Sequence, residues 1–292
     1  NYSVGTKENS ENSPNRTEIA NVTISGGKVT YGVFGGGQGY SYTGTVNLTI
    51  SDGDMSNSYV TAGGSNGYTS SANVKLTGGK IGVYQTVNRG TLNTAIVKVA
   101  GASIGKFYVG GETEDKSVTG IINKINTYLV SGNIETLDSG TSNGSPITID
   151  NEAYNVTATN SVKITNDNIG DSKKSISYDF TVSTKTVKLF VNQNMKMPIV
   201  VTTNPTGYED MFVDLFSYSV YDESIATVNA DGVITGVSEG NTFVTVKNGE
   251  KVKTIDVTVT DVQYLIVLLS VIATLVVILL TVLFAFLYLE LL

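Results

Sequence analysis

The chain has 292 residues, with no cysteine, no histidine and no tryptophan, but with 31 glycines. Without cysteine there are no disulfides, thiolate nucleophiles or cysteine-ligated zinc sites. Without histidine there is no Ser-His-Asp triad, and the side chain best suited to acid–base chemistry at neutral pH is missing. The net charge of -7 comes from 26 acidic and 19 basic residues spread along the chain, so we expect no nucleic-acid partner.

An imperfect repeat occupies the first part of the chain. The polar residues 1–18 are predicted to be a disordered lead-in or the remnant of preceding coils, and the repeat follows over residues 19–172. Each copy has two alternating apolar positions, a turn rich in Gly, Asp or Asn, and a further apolar residue, and copies recur every 23 to 34 residues. The copies are Val22–Val29, Leu48–Met55, Val74–Ile81, Val97–Ile104, the shortened Tyr128–Ile134, and Val162–Ile169.

This pattern predicts a parallel β-solenoid. Each copy indicates a short strand, a turn in which Gly, Asp or Asn adopts positive φ, and a second short strand. Stacked coils of about 25 residues bury a continuous ladder of Val, Ile and Leu, with loop insertions or an irregular capping coil expected around Thr141–Ala158. A β-sandwich is the alternative, but hairpin loops are not expected to reproduce one frame six times. The pattern resembles the glycine-rich right-handed β-helix repeats of bacterial and phage surface proteins.

Three tyrosines in the first two coils are the candidate ligand-binding residues. Tyr40 follows Gly36 by four residues and Tyr68 follows Gly64 by four, in loops that read Gln-Gly-Tyr and Asn-Gly-Tyr. Stacked coils are predicted to bring these rings into one exposed row, with Tyr42 nearby, and flat amphipathic rings suit the stacking of sugars. The alternative is an aromatic stack that covers the flank of the solenoid.

Other motifs in the repeat favour neither a cofactor nor catalysis. Glu112, Glu114 and Asp115 share an inter-strand loop and are weak candidates for a calcium site. Gly35–Gly37 is followed by no helix, and neither G-x-G-x-x-G nor G-K-[ST] occurs, so we expect no nucleotide. A polysaccharide-cleaving β-helix enzyme is a further alternative, but the chain has only two arginines and the coils carry few acids, so we expect no catalysis.

Residues 173–261 differ in composition, with fewer glycines and longer alternating strands. The run Ser224–Val246, closed by Ile255–Val259, reads as hairpins around an Ala-Asp-Gly turn and a broader Thr-Gly-Val-Ser-Glu-Gly-Asn turn. Its core, S-x-A-T-V-x-x-x-G-x-I-T-G-x-x-x-G, closely resembles the bacterial Ig-like group 2 family over about residues 176–260. The resemblance implies a β-sandwich that serves as a stalk or adhesion module without catalysis. The Phe216–Tyr221 region stands where the family usually has Trp.

Residues 262–292 contain an uncharged stretch of 26 residues, Tyr264–Leu289, whose polar members are Ser270, Thr274 and Thr281 apart from the first tyrosine and Tyr288. As a helix it would extend roughly 39 Å, enough to cross a hydrocarbon core of about 30 Å with tilt. It is apolar all round, so an amphipathic surface helix is excluded. A buried helix of a soluble or virion protein is the alternative. We predict a membrane-spanning helix at 264–289.

The fold class is therefore mainly β: a parallel β-solenoid, an Ig-like β-sandwich and one transmembrane helix. We expect a non-catalytic bacterial surface protein, single-pass in the cell membrane with an extracellular N-terminal region, that binds an extracellular glycan or a cell-surface protein or builds the envelope. A positive-inside count opposes this orientation, because Lys247, Lys251 and Lys253 precede the helix. A phage virion fibre or decoration protein is the alternative function.

Overall fold

The computed structural model describes residues 15–113, 120–150, 152–261 and 263–290. The chain forms two compact units. The first contains residues up to 180 together with 201–216 and 248–251, and the second contains 181–200, 217–247 and the part from 252 onward. Two segments of the predicted Ig-like region therefore belong to the compact unit that holds the repeats.

The first unit contains a β-solenoid of about six turns, as the repeat predicts. Its long strands pair in parallel with those of the next turn, and one short antiparallel hairpin is inserted near its end. The strands are β1 (Arg16–Lys28), β2 (Gly32–Phe34), β3 (Tyr42–Thr61), β4 (Tyr68–Leu76), β5 (Lys80–Gln85), β6 (Thr91–Tyr108), β7 (Ile121–Asp138), β8 (Thr141–Ser142), β9 (Ser145–Pro146), β10 (Tyr154–Thr159) and β11 (Val162–Asp167).

Alternation along these strands builds the solenoid core. Val22, Leu48, Val74 and Val97 occupy one register position on β1, β3, β4 and β6. Because side chains alternate between the two faces of a strand, this shared register directs all four to the same side. The last three are 0 to 1% exposed, so the ladder forms a continuous apolar interior.

Several glycines lie where successive turns approach each other too closely for a side chain. A Cβ atom at Gly64 would lie 2.0 Å from the carbonyl oxygen of Gly37, and one at Gly78 would lie 2.1 Å from that of Ser51. Gly79, with φ of 79°, adopts the left-handed conformation that the turn between the two strands of the coil requires. The glycine-rich composition thus reflects turn geometry and the stacking of coils.

The repeat frame is confirmed in the first four copies, where Ile24, Ile50, Leu76 and Val99 share one register position. The alignment of the shortened copy was wrong by one residue. Val99 pairs with Leu129, and the register then shifts, which leaves Val130 as the extra residue of a bulge.

The last copy was also placed on the wrong strand of its coil. Ile164 pairs with Ile134, which lies in the second half of β7, so Val162–Asp167 is a second strand. The first strand of that turn is β10, where Tyr154 pairs with Ile125. Both strands of a coil alternate in the same way, and this likeness explains the misassignment.

The Ig-like region follows a short 3-10 turn at Gly170–Ser172. Strands β12 and β15 continue the solenoid sheet in the order β1-β3-β4-β6-β7-β10-β12-β15, while the others form the sheets β13-β20-β19-β16 and β14-β18-β17. The elements are β12 (Lys174–Val182), β13 (Thr186–Phe190), β14 (Asn194–Lys196), β15 (Ile199–Asn204), α1 (Asp210–Val213), β16 (Phe216–Val220), β17 (Ala226–Val228), β18 (Val233–Gly236), β19 (Gly240–Asn248) and β20 (Lys251–Thr260).

Aromatic rings fill a small second core in the first unit. The rings of Tyr178 and Phe212 stack with centroids 4.0 Å apart, and the Tyr178 hydroxyl donates to the carbonyl oxygen of Asn248 at 2.8 Å. Phe216 meets Phe180 edge to face at 5.1 Å. An aromatic side chain therefore packs in the region where the family usually has Trp.

The chain ends with helix α2 (Gln263–Glu290). Within the described residues, Val267–Leu287 is the one segment whose length and mean hydropathy of 3.1 would allow a helix to cross a membrane. The hydroxyls of Ser270, Thr274 and Thr281 donate to carbonyl oxygens of their own helix at 2.7 to 2.8 Å. These polar groups are therefore satisfied without water, as a hydrocarbon environment requires.

Candidate ligand-binding site

Two of the three predicted tyrosines form a stacked pair on neighbouring strands. Tyr42 on β3 pairs in register with Tyr68 on β4, and their rings lie 5.7 Å apart with an angle of 18° between their planes. The guanidinium of Arg16 lies 4.3 Å from the centre of the Tyr42 ring on the other strand that β3 contacts. Tyr68 is only 6% exposed, so the pair covers the flank of the solenoid more than it offers a free surface.

The expected alignment of Tyr40 with Tyr68 is corrected by the register. Gln38 bridges to Ser65, 27 residues on, whereas Tyr42 pairs with Tyr68, 26 residues on. The first loop is thus one residue longer, and this extra residue places Tyr42 opposite Tyr68. Tyr40 is 55% exposed and lies outside the stacked pair, so the three rings do not make the exposed row that the spacing predicted. Sugar binding by these residues stays a prediction.

The weak metal candidates are only partly described. Glu112 is buried, and its backbone N–H donates to Oε1 of Gln85 at 3.0 Å. Glu114 and Asp115 lie outside the described residues. In the part of the chain that the structure describes, no group of three or more acidic side chains is arranged to hold a metal ion.

A cleft of about 500 Å3 lies on the outer face of the solenoid sheet, against α1 and the turn that follows it. Strands β3, β4, β6 and β7 each contribute outward-facing side chains, because residues two apart on a strand share a face. The residues that determine its chemistry are Asn47, Asn73, Ile96, Lys98, Tyr128 and Asp214. All of them belong to the first compact unit.

Two lysines hold one carboxylate at the edge of this cleft. Nζ of Lys75 lies 2.8 Å from Oδ2 of Asp214, and Nζ of Lys98 lies 2.6 Å from Oδ1. Burial raises the pKa of Asp214, but hydrogen bonds and charges from the two lysines outweigh it and bring the pKa below its ordinary 3.8. Asp214 is therefore ionised at neutral pH and unsuited to act as a general acid there.

The floor of the cleft combines amides, an apolar patch and a phenol. Nδ2 of Asn73 donates to Oδ1 of Asn47 at 3.1 Å, and Ile96, which is 40% exposed, occupies the next register position. Burial raises the pKa of the half-buried Tyr128, and the neighbouring Tyr208 raises it further. Its hydroxyl therefore stays protonated and can donate and accept hydrogen bonds. Such a surface suits a neutral ligand with hydroxyl groups and an apolar face.

The repeat pattern did not indicate this cleft. Tyr128 entered the sequence comparison only as an apolar position of the shortened copy, and the corrected register places it on the outer face, opposite Lys98. Asp214 lies 116 residues after Lys98, so no local motif connects them. The outward alternation of Lys75, Lys98 and Tyr128 was the one available signal.

Comparison with known proteins identifies the second region. Residues 179–259 match the bacterial Ig-like domain (group 2), which confirms the resemblance predicted for about residues 176–260. The crystal structure of domains 4 and 5 of the S-layer protein SbsC is similar with a TM-score of 0.26 and 21% identity. The match covers 30% of this chain and 55% of that structure, so the chain spans about half of its length. No curated protein sequence matches the chain significantly.

Proposed function

We propose that this chain is a non-catalytic bacterial surface protein held at a membrane by α2, with the Ig-like domain as a spacer and the β-solenoid as the displayed part. The observation that carries the proposal is the order of the parts: a bacterial Ig-like domain at 179–259 lies between the solenoid and an apolar helix. Side chains of Val267–Leu287 are exposed in the chain alone, so apolar surroundings would stabilise them.

Membrane attachment is tested by reconstitution. The full chain, mixed with liposomes and centrifuged through a density gradient, should float with the lipid and resist extraction at alkaline pH. A matched chain that ends at Asp261 should stay at the bottom of the gradient. A full chain that remains soluble, or that runs as a soluble trimer, would contradict the proposal and support a virion fibre instead.

The ligand class follows from the cleft. Tyr128, Ile96 and the amides of Asn47 and Asn73 offer stacking, apolar contact and hydrogen bonds to a neutral saccharide, while the ionised Asp214 is held by two lysines. We assign glycan binding to this cleft in preference to the Tyr40 loop, because the latter does not build a row of rings with Tyr68.

A glycan array tests this assignment. Binding by the full chain should fall about tenfold or more in Tyr128→Ala, since loss of a stacking ring costs about 1 kcal/mol or more. Tyr31→Ala is the matched control, because Tyr31 is 86% exposed and does not line the cleft. Equal binding by the wild type and Tyr128→Ala, or no binding at all, would exclude the cleft as the glycan site while leaving the membrane proposal intact.

A further inference from the structure

The two ends of the solenoid sheet differ. At the C-terminal end, β10 pairs in parallel with β12, where Thr157 meets Lys174 and Thr159 meets Ile176. At the N-terminal end, β1 pairs with β3 on one edge, and no described strand pairs with its other edge. An unpaired strand of 13 residues is long for a sheet edge and presents a row of backbone donors and acceptors.

The interior of the solenoid is also open at this end. Ala20, Val22 and Ile24 point inward but are only partly buried, whereas their register partners on β3 are 0% exposed. In every later turn, the core residue is covered by a strand on each side. A further strand on β1 would cover these three side chains in the same way, and burial of apolar surface would favour its binding.

Glycine spacing in the repeat indicates what shape such a strand must have. A Cβ atom at Gly78, Gly101 or Gly132 would lie 2.1 to 2.6 Å from a carbonyl oxygen of the preceding turn. Gly26 holds the same place in the first copy, but nothing described lies within 4 Å of its Cβ position. The space next to Gly26 is therefore the space that a preceding turn occupies elsewhere in the solenoid.

Polar groups on the outer face follow the same logic. Nδ2 of Asn73 donates to Asn47, and Nδ2 of Asn47 donates to Oδ1 of Asn21 at 2.9 Å, so the amide of Asn21 ends the ladder with its donor group. Charge alternates as well: Lys28 pairs with Asp54 in register, and Asp54 pairs with Lys80. A strand with an amide opposite Asn21 and an acid opposite Lys28 would continue both rows.

We propose that the outer edge of β1 is a docking site for a parallel strand of the same repeat frame, supplied by a partner protein. This strand carries apolar residues opposite Ala20, Val22 and Ile24, an Asn opposite Asn21 and an acid opposite Lys28. It adds to the sheet by main-chain hydrogen bonds, and the side chains select it. The interaction is distinct from glycan binding and from membrane attachment, so each can fail alone.

A labelled peptide tests the docking site on the full chain in detergent. The probe copies Thr43–Asp54, which has Asn47 between apolar residues and ends in an acid. We expect saturable binding by fluorescence anisotropy, and about a tenfold loss in Val22→Lys, because a lysine pointing inward blocks edge pairing. Thr23→Lys is the matched control, since Thr23 is on the same strand but faces outward, and it should bind like the wild type.

Further measurements keep the proposal open to contradiction if Val22→Lys folds poorly. The same peptide with alternate N-methylated backbone amides should not bind, because it cannot form the ladder. Absence of saturable binding, equal binding of the methylated peptide, or equal loss in both lysine variants would overturn the proposal. Peptide-independent dimerisation through β1 would also overturn it, because the occupant would then be a second copy of the chain.

Discussion

Nζ of Lys98 lies 2.6 Å from Oδ1 of Asp214, which ties an outward position of strand β6 to the turn after helix α1, 116 residues later. The lysine side chain is 12% exposed and the aspartate side chain 39%, so the pair is only partly shielded from water. Lys75 contacts the second oxygen of the same carboxylate. One carboxylate thus fixes this wall of the cleft against two strands.

Replacement of this carboxylate should weaken the first unit slightly. Asp214→Asn is expected to lower the free energy of unfolding by about 0.5 to 1 kcal/mol, a small value because solvent screens a pair of this exposure. Asp210→Asn is the matched control, since this exposed residue lines the same cleft and should have little effect. Urea unfolding of the full chain, followed by tyrosine fluorescence, measures both.

The effect of Asp214 should depend on pH in a defined direction. Because the pKa of Asp214 is lowered in the folded chain, its contribution is complete above the ordinary 3.8 and is lost as pH falls through the lower folded value. The difference between the wild type and Asp214→Asn, present at neutral pH, should vanish below about pH 3. A difference that persists unchanged in acid would show that the lysine pairs do not cause it.

Two adjacent glycines should respond very differently to the same substitution. Gly64→Ala is expected to cost about 3 kcal/mol, because its Cβ would meet the carbonyl oxygen of Gly37 at 2.0 Å and the backbone must move. In Gly63→Ala the nearest atom would be Cβ of Leu92 at 3.7 Å, an ordinary contact, so stability should change by less than about 1 kcal/mol. Equal destabilisation would contradict the stacking explanation for the glycines.

The interrupted asparagine ladder allows a substitution that should add hydrogen bonds. Ile96 lies between Asn73 and Asn126 in register, and Asn126 accepts from Nδ2 of Asn155 at 3.0 Å. Ile96→Asn should be more stable than the matched Ile96→Ser by about 1 kcal/mol, because only the amide can join both neighbours. Thermal unfolding compares the two variants, and equal melting temperatures would show that the amides do not act as a ladder.

Two tyrosines of the same loop region should differ in their structural importance. Tyr68→Ala is expected to cost about 3 kcal/mol, since the ring is 6% exposed and stacks on Tyr42. Tyr40→Ala should change stability by less than about 0.5 kcal/mol, because that side chain is 55% exposed. Similar losses in the two variants would indicate that the register of the loop differs from the one described.

The solenoid could be predicted from sequence because its signal is repeated. Apolar residues such as Leu48 and Val74 recur in one frame, and alternation then determines which side chains face inward. Prediction failed where a single residue changes the register. A bulge at Val130 shifted the shortened copy, and one extra loop residue placed Tyr42 opposite Tyr68 in place of Tyr40.

The candidate cleft lay beyond sequence reasoning for a different reason. Its wall depends on the contact of Lys98 with Asp214, and nothing in either local pattern encodes a pairing over 116 residues. The Ig-like region was recognised from a spaced motif, yet that motif does not show that residues 201–216 belong to the compact unit of the solenoid. Local periodicity predicts strands and registers, whereas packing between distant segments requires the structure.

The most direct test of the central claim is the location of the Ig-like domain relative to the membrane. The chain has no cysteine, so Glu239→Cys introduces one labelling site at an exposed position. In bacterial cells stripped of their wall, a membrane-impermeant maleimide should label this cysteine before lysis, in a chain that sediments with the membranes. Labelling only after lysis, or a chain recovered in the soluble fraction, would contradict a membrane-held surface protein.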